Sequence, residues 1–290
     1  KYKNVVHKRC LEVARYVLPV ATFACLYHTI SAITLLRYHR LCEQYDAPHE
    51  QRLVAEKMVA ETLRFDPLYE LLLEKPIEMQ CTPEFDFFES HFGGPGNRTR
   101  KDFGEEFDRS LGGRVSRLVD FKFNNEATLA QAVRDVLGTR RAALPDEEAI
   151  DLALNPARNE LLGESLNLTT VSKISRALYH PSYTFRKKLS HTADSQDQRH
   201  RMTPASRPCL AAQLSWEPDF ITPELIKQDE RIEKLYADTM ERIWSSINRL
   251  RARGVSDESA MYLLPNAVAV RFTESADLLN LRHKHAMRLC

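Results

Sequence analysis

The sequence predicts a helix-rich α+β fold. Apolar residues recur every three or four positions over long stretches, which is the period of an amphipathic helix. Strand-like alternation is clear only from Leu118 to Phe123. Glycine is also scarce, with nine in 290 residues, and six of these lie between Gly93 and Gly113. The helical stretches are therefore seldom interrupted, and the glycine-rich region is the natural connection between units.

The part of the chain before this connection predicts three helices. The first begins near Val5 and ends before Pro19, because proline has no amide hydrogen and disfavours helix in the residue before it. The second and third are expected over residues 26–45 and 49–73. We expect residues 75–116, which are rich in Pro, Gly, Phe and acidic residues, to be irregular.

The part after the connection predicts one strand and a series of helices. The strand is Leu118 to Phe123. Gly254 follows the last long amphipathic segment and is a typical C-terminal helix cap. The expected helices are residues 126–137, 146–154, 169–179 and 223–253.

Composition excludes several classes of protein. The 41 basic and 40 acidic residues leave a net charge of +1, so no overall field attracts nucleic acid or an anionic membrane. The most apolar stretch, Val17 to Leu36, is interrupted by His28, Thr29, Ser31 and Thr34, which is atypical of a membrane span. The six cysteines form no close pairs, as expected for reduced thiols. We expect a cytoplasmic protein with no membrane and no nucleic-acid partner.

An eight-residue box occurs twice in the chain. Residues 12–19 read Glu-Val-Ala-Arg-Tyr-Val-Leu-Pro, and residues 258–265 read Glu-Ser-Ala-Met-Tyr-Leu-Leu-Pro, at an offset of 246 positions. Both boxes are followed by an apolar segment, a Leu-Arg pair and an Arg-Leu-Cys tripeptide. The polar Glu and Tyr positions match as well as the apolar ones, which favours an internal repeat over the accidental likeness of two amphipathic helices.

The most unusual local composition is the triplet Arg199-His200-Arg201, with Gln196 before it and Ser206-Arg207 after it. Guanidinium groups bind phosphate or carboxylate oxygens in pairs, and an imidazole donates a hydrogen bond or stacks on a flat ring. The triplet therefore predicts an anion site suited to a nucleotide or a flavin pyrophosphate. On composition alone, a solvated basic loop explains it equally well.

Together, the triplet and the boxes resemble the flavin-dependent thymidylate synthases. The signature of that family is Arg-His-Arg-x-x-Ser with a Gln three positions before the triplet, where this chain has Gln196. The family also contains a Glu-x-Ala-Arg-x-Val-Leu-Pro box, followed at a fixed interval by an arginine, and that interval from Pro265 reaches Arg288. The resemblance covers most of the chain.

This resemblance implies a fold like that of the thymidylate synthase-complementing proteins, in two tandem copies. Residues 1–75 would be the C-terminal part of a first copy, residues 76–117 a linker and residues 118–290 a second copy. The chain begins without Met at Lys1 and stops within a predicted helix at Cys290. We therefore expect the first copy to be incomplete and the second to be truncated in its last helix.

The resemblance also implies a chemistry. Such enzymes are homotetramers with sites between subunits, and they convert dUMP to dTMP with methylenetetrahydrofolate and with FAD reduced by NADPH. A homo-oligomer or an intramolecular pseudo-dimer is expected. By position, Arg199, His200, Arg201 and Gln196 would bind the flavin. The residues expected to bind the nucleotide are Arg15, Arg288, Ser206 and Arg207.

The chain departs from the family pattern at two places. Pro204 stands at the first signature serine, although a shortened loop would place Ser206 and Arg207 at the later signature positions. In the second box, Met261 replaces the arginine that the first box has as Arg15. Two alternatives stay open: a synthase whose site combines residues of both copies, and a nucleotide- or flavin-binding scaffold that has lost activity.

Other candidate sites carry less weight. His283 and His285 are two positions apart on a predicted helix and point in different directions, so a metal site is not expected. The basic run from Arg186 to Arg207 has few interleaved aromatic residues for stacking nucleic-acid bases. The chain also contains neither the Gly-x-Ser-x-Gly elbow of hydrolases nor a Gly-x-Gly-x-x-Gly dinucleotide motif.

Overall fold

The computed structural model describes residues 2–43, 48–92, 101–163, 172–208 and 210–289. The chain divides into two compact units that alternate along the sequence. Unit 1 comprises Lys1–Gly104, Ser190–Thr192 and Pro208–Ala269, and unit 2 comprises Glu105–Leu189, Ala193–Arg207 and Val270–Cys290. The predicted tandem copies divide the chain differently, and they stay a prediction.

Helices dominate the described residues. Their bounds are α1 Tyr2–Ala14, α2 Ala32–Arg40, α3 Pro48–Phe65, α4 Pro83–Phe92, α5 Lys101–Leu111, α6 Asn125–Leu137, α7 Asp146–Leu154, α8 His191–Asp197, α9 Glu230–Ala252, α10 Asp257–Met261 and α11 Leu278–Arg288. Four strands form one sheet, and their bounds are β1 Ser116–Phe121, β2 Ser182–Ser190, β3 Ala205–Ser206 and β4 Ala269–Asp277.

Unit 1 is built around α9. Its buried face consists of Tyr236, Met240, Trp244 and Ile247, which recur at three- and four-residue spacing. The Asp229 carboxylate caps the start of the helix by accepting the amide hydrogens of Arg231 and Ile232. Both boxes contribute to this core, with apolar side chains from residues 13–20 and 260–268. The core therefore joins parts of the chain that are about 240 residues apart.

The end of α9 requires a glycine. Gly254 has a φ of +86°, a left-handed conformation that glycine adopts without the steric cost of a Cβ atom. The amide of Gly254 donates to the carbonyl of Arg251, and the amide of Val255 donates to that of Leu250. This pair of bonds is the Schellman arrangement, so the predicted C-terminal cap is confirmed.

Unit 2 contains most of the sheet together with α6, α7 and α11. The strand order is β1-β2-β4-β3, and the β1/β2 and β3/β4 pairs are antiparallel. One apolar cluster joins α6 and α7 to the 3₁₀ turn Ser175–Tyr179 and to Leu279 of α11. β4 is buried along its first half, and it passes directly into α11, whose first residue donates its amide hydrogen to the Pro181 carbonyl. The sheet thereby fixes the start of α11.

The structure confirms several of the predicted elements and corrects others. α6 and α7 lie where the periodicity places them. The expectation of an irregular connection over residues 75–116 is wrong, because this region contains α4 and α5. Within α5, Phe107 and Leu111 are four residues apart and both are buried, a helical spacing that the surrounding charges obscured. The start of the helix predicted over 169–179 lies outside the described residues.

Two further corrections concern regular structure. Residues 22–30 are irregular, so the second predicted helix begins only at Ala32. Sequence patterning missed β2 and β4, which are nine residues each and contain charged residues at positions where alternation expects apolar ones. Across the described ranges, none of the helices combines the length and apolar character needed to cross a membrane. Cys10, Cys25, Cys42 and Cys81 are free thiols.

Candidate functional site

The triplet lies in unit 2, in the short loop between α8 and β3. Arg199 and Arg201 are exposed on either side of His200, which is partly buried. Within the described ranges, neither arginine side chain has a carboxylate within ion-pair distance. The loop therefore presents two uncompensated positive charges around one imidazole ring.

The structure brings Gln196, His200 and Arg288 together. Arg288, in the last turn of α11, donates from Nε to Nε2 of His200 at 2.9 Å. The same guanidinium donates to the backbone carbonyl of Gln196, and at 3.4 Å to its side-chain oxygen. All of these acceptors are neutral groups, so the charge of Arg288 also has no carboxylate partner among the residues that the structure describes.

His200 is held in its neutral form. Burial and the neighbouring charges of Arg288 and Lys284 lower the pKa of its imidazole below the ordinary value. An imidazole nitrogen that accepts a hydrogen bond carries no proton, so Nε2 is the acceptor and Nδ1 carries the hydrogen. His200 therefore offers one defined donor and no positive charge near neutral pH.

A buried charge cluster lies beside the triplet loop. Its centre is Glu274 of β4, whose side chain is fully buried and accepts from the ammonium groups of Lys187 and Lys284 at 2.5 Å each. Burying a charge is costly unless oppositely charged partners surround it. The charge cluster meets this condition with equal numbers of each sign, and its members are Lys187, Lys284, Arg207, Asp194, Asp197 and Glu274.

Lys284 connects the charge cluster to both ends of the triplet loop. Its Nζ lies 2.6 Å from an oxygen of Asp197, two residues before the triplet, and 3.4 Å from Oγ1 of Thr203, two residues after it. Thr203 in turn donates from its hydroxyl and its amide to the His200 carbonyl, at 2.9 and 3.1 Å. The buried ammonium group of Lys284 thus contacts residues on both sides of the triplet and holds the loop in place.

The carboxyl of Asp197 stays ionised in this setting. Burial alone raises the pKa of Asp197, but the hydrogen bonds with Lys284 and Glu274 and the charges of Lys187 and Lys284 outweigh burial and hold the pKa below its ordinary value. Asp197 is therefore a permanent negative partner for the buried lysines.

Arg207 belongs to the charge cluster rather than to the exposed surface of the loop. Its Nε lies 2.7 Å from Asp194 and its Nη2 lies 3.3 Å from Asp197, while its guanidinium lies 4.5 Å from the ring centre of Phe272. Ser206 is exposed in β3. A nucleotide contact by either residue stays a prediction, and the guanidinium of Arg207 already has two carboxylate partners.

Arg15 lies in unit 1, in the 3₁₀ turn Arg15–Val17, and its side chain is exposed. At the matching position of the second box, Met261 is 3% exposed and packs in the core around α9. The two matching positions therefore have opposite environments. Only Arg15 has a side chain that a ligand can reach.

The chemistry that this arrangement supports is anion binding beside a neutral ring. Arg199, Arg201 and Arg288 supply charge and planar donor sets that match phosphate oxygens. The described residues contain no group of three His, Cys, Asp or Glu side chains placed to hold a metal ion. The groups of this site that can bind a ligand are thus chiefly its basic side chains.

The family comparison agrees with these features. The family model described as thymidylate synthase complementing protein matches residues 1–68 and 117–290. This chain belongs to that family. The two matched segments contain both boxes, the triplet, Gln196 and Arg288.

Two curated relatives are similar to part of the chain. The flavin-dependent thymidylate synthase of Pyrococcus furiosus is 32% identical over 122 residues, and the protein of that name from Pyrococcus abyssi is 30% identical over 122 residues. Each match covers 39% of this chain and 48% of the relative. The chain thus spans about half the length of the curated relatives it matches.

Sequence inspection missed the charge cluster. Lys187 and Glu274 lie in strands that were not predicted, and nothing in the sequence pattern singled out Lys284 of α11. A signal was nevertheless present, because Glu274 interrupts the mostly apolar stretch that follows the second box. A carboxylate in such a stretch indicates a buried partner.

We predict that Lys284→Met lowers the free energy of unfolding by about 3 kcal/mol, because it leaves buried carboxylates short of one cation. Urea denaturation measures the change. Lys227→Met, which removes a lysine whose ion pair with Glu224 is on the surface, is the matched control and is expected to cost much less.

The double variant Lys284→Met/Glu274→Gln separates charge from packing. Because it removes the surplus negative charge, it is expected to be more stable than Lys284→Met alone. A loss for Lys284→Met no larger than that of the control would contradict the role given to this lysine.

We also predict that His200 titrates below an ordinary histidine, and that Arg288→Gln raises its pKa toward the ordinary value by removing a neighbouring positive charge. The pH dependence of the His200 ring signals in NMR spectra measures both. His285→Gln, at an exposed position of the same helix, is the control and should leave the titration unchanged. An unchanged His200 pKa in Arg288→Gln would disprove the prediction.

Proposed function

We propose that this protein is a flavin-dependent thymidylate synthase, which converts dUMP to dTMP by reductive methylation. Methylenetetrahydrofolate would supply the one-carbon group, and NADPH would reduce the cofactor FAD. The observation that supports this proposal best is the set of three arginines around a neutral His200, two in the triplet loop and Arg288 at the end of α11, which have no carboxylate partner among the described residues, in a chain of this family.

The residues of the loop fit a flavin nucleotide. FAD carries a pyrophosphate with two negative charges, and guanidinium groups bind such oxygens in pairs. Arg199 and Arg201 are exposed and have no carboxylate partner in the described chain, so a phosphate would not have to displace an internal ion pair. In this proposal these two arginines bind the flavin phosphates, and Gln196 contributes a polar contact.

His200 has a different task in this proposal. Its neutral ring can lie against a flat heterocycle or donate from Nδ1 without placing a fixed positive charge there. Arg288 orients the ring through Nε2, and the Thr203 contacts hold the backbone of His200. When bound, FAD supplies the reducing equivalents for the reaction.

We further propose that Arg15 and Arg288 bind the nucleotide phosphate or polarise the uracil ring, with Ser206 and Arg207 as additional contacts. Arg15 is exposed, and its charge is available to an anionic ligand. Positive charge near the uracil ring would stabilise negative charge that develops there during the transfer.

Two observations favour a second candidate function, a nucleotide- or flavin-binding scaffold without activity. Met261 is buried where the first box has Arg15, and Pro204 follows the triplet where the family signature has a serine. Both changes remove polar groups from positions that the signature makes polar. Binding of the flavin and turnover therefore have to be tested separately.

The flavin proposal predicts that the purified protein is yellow, and that Arg199→Ala/Arg201→Ala lowers the flavin content of the protein at least tenfold, because two charge-assisted contacts to phosphate are lost. Visible absorption spectra measure the bound flavin. Arg64→Ala/Arg231→Ala, which removes two exposed arginines elsewhere, is the control and should leave the spectrum unchanged.

If the protein is colourless and does not take up added FAD, it is neither a flavin-dependent synthase nor a flavin-binding scaffold. Growth of a thymidine-requiring bacterial strain that expresses the protein then decides between them. A synthase restores growth, whereas a scaffold binds flavin and does not restore growth.

The nucleotide proposal predicts that Arg15→Ala weakens dUMP binding about tenfold or more without releasing flavin, because a charged hydrogen bond contributes roughly 1.5–3 kcal/mol. Isothermal titration calorimetry with dUMP measures the affinity. Arg9→Ala, at an exposed arginine of α1, is the matched control. Equal dUMP affinities for Arg15→Ala and the unchanged protein would show that the first box does not contact the nucleotide.

A further inference from the structure

The two boxes lie against each other in unit 1. Residues 16–21 run antiparallel to residues 262–267, and Pro19 faces Pro265 across the bridge. Because the boxes are 246 residues apart in the chain, this pairing is a tertiary contact that sequence proximity does not require. Four backbone hydrogen bonds form it, two on each side of the prolines.

These four hydrogen bonds are related in pairs by the offset of the repeat. If every residue number in one bond is replaced by the number of its counterpart in the other box, 246 positions away, the result is the second bond of the same pair. The same replacement applied to the facing prolines gives the same two prolines again. The first pair is Val20 N–H to Leu264 O and Asn266 N–H to Leu18 O, both 2.8 Å, and the second is Ala21 N–H to Tyr262 O at 3.2 Å and Ala267 N–H to Tyr16 O at 2.9 Å.

Pro19 and Pro265 lie at positions of the antiparallel pairing where no backbone amide hydrogen is needed. In an antiparallel ladder, facing residues alternate between pairs that exchange hydrogen bonds and pairs that exchange none. The bonds on both sides show that Pro19 and Pro265 form a pair of the second kind, so neither needs the amide hydrogen that proline lacks. The presence of a proline at the same position in both boxes is thus consistent with the two prolines facing each other.

We propose that this chain contains its own dimer interface: its first box occupies, on the second box, the place that a second copy would take in a two-fold symmetric dimer. In such an interface the same patch is used on both sides, and each contact therefore occurs twice. The exchange of hydrogen bonds between the boxes has this property. The partner of residues 262–267 is the segment 16–21 of the same chain, and a second chain does not use this surface.

The side chains have diverged although the backbone pairing is symmetric. Tyr16 and Tyr262 occupy matching places, whereas Arg15 is exposed and Met261 is buried. In a dimer of two identical chains, this position would carry the same residue in both chains, so one could not have an arginine where the other has a methionine. Joining the halves in one chain allows one side to keep an arginine while the other contributes an apolar side chain to the core.

The first test is a disulfide on the proposed axis. Facing residues of this kind have Cα atoms about 4.5 Å apart, which is within the range that a disulfide spans. Pro19→Cys/Pro265→Cys is prepared in the full chain with a protease site introduced within residues 93–100. Oxidation is expected to link the two cysteines within one chain, so that the two fragments separate after cleavage only when a reductant is added.

The single variants Pro19→Cys and Pro265→Cys control for the native thiols. Disulfide-linked pairs of chains, seen as a doubled mass on a non-reducing gel, would show that the boxes pair between chains. No more linkage than in the single variants would show that the prolines do not face each other. Either result overturns the proposal.

The second test uses the exchange of hydrogen bonds and does not depend on oxidation. Val20→Pro and Asn266→Pro each remove one donor of the same pair, and each is compared with alanine at its own position. Both are expected to lower the thermal midpoint by similar amounts, about 2–5 °C. Ala24→Pro, in the irregular stretch after the first box, is the control and should have little effect. A loss for only one of the two, or an equal loss for the control, would overturn the two-fold relation.

Discussion

The candidate site depends on one buried carboxylate. Glu274 is fully buried in β4, and the ammonium groups of Lys187 and Lys284 pair with its carboxyl there. Lys284 then holds Asp197 and Thr203, which flank the triplet. The need to compensate one buried charge therefore helps to set the position of the loop that carries Arg199, His200 and Arg201.

The same electrostatics separate the basic side chains into two groups. Lys187, Lys284 and Arg207 are neutralised by buried carboxylates, and they serve the architecture of unit 2. Arg288 has only neutral acceptors around it, and Arg199 and Arg201 are exposed without a carboxylate partner in the described ranges. The net charge of +1 conceals this division, because the charges that matter for an anionic ligand are concentrated in one loop and one helix end.

Sequence patterns predicted the parts of the fold that depend on local periodicity. α6 and α7 have regular apolar spacing and were predicted well, and the C-terminal cap of α9 follows from Gly254. β2 and β4 were missed because their charged residues pair inside the fold, Lys187 with Glu274 in the charge cluster, and Lys188 and Arg271 with Asp108 of α5. The alternation of apolar and polar residues therefore does not report which side chains face inward. α5 was missed because few apolar residues are needed to bury one face of a short helix.

The sequence by itself determined that the box is repeated, that an Arg-His-Arg triplet follows Gln196, and that the chain resembles a known family. These properties are visible because they depend only on residue type and spacing. The tertiary structure alone decided that Pro19 faces Pro265, that Met261 is buried while Arg15 is exposed, and that Arg207 is neutralised while Arg288 is not. Burial and ion pairing arise from contacts between residues far apart in the chain, and spacing along the sequence carries no measure of them.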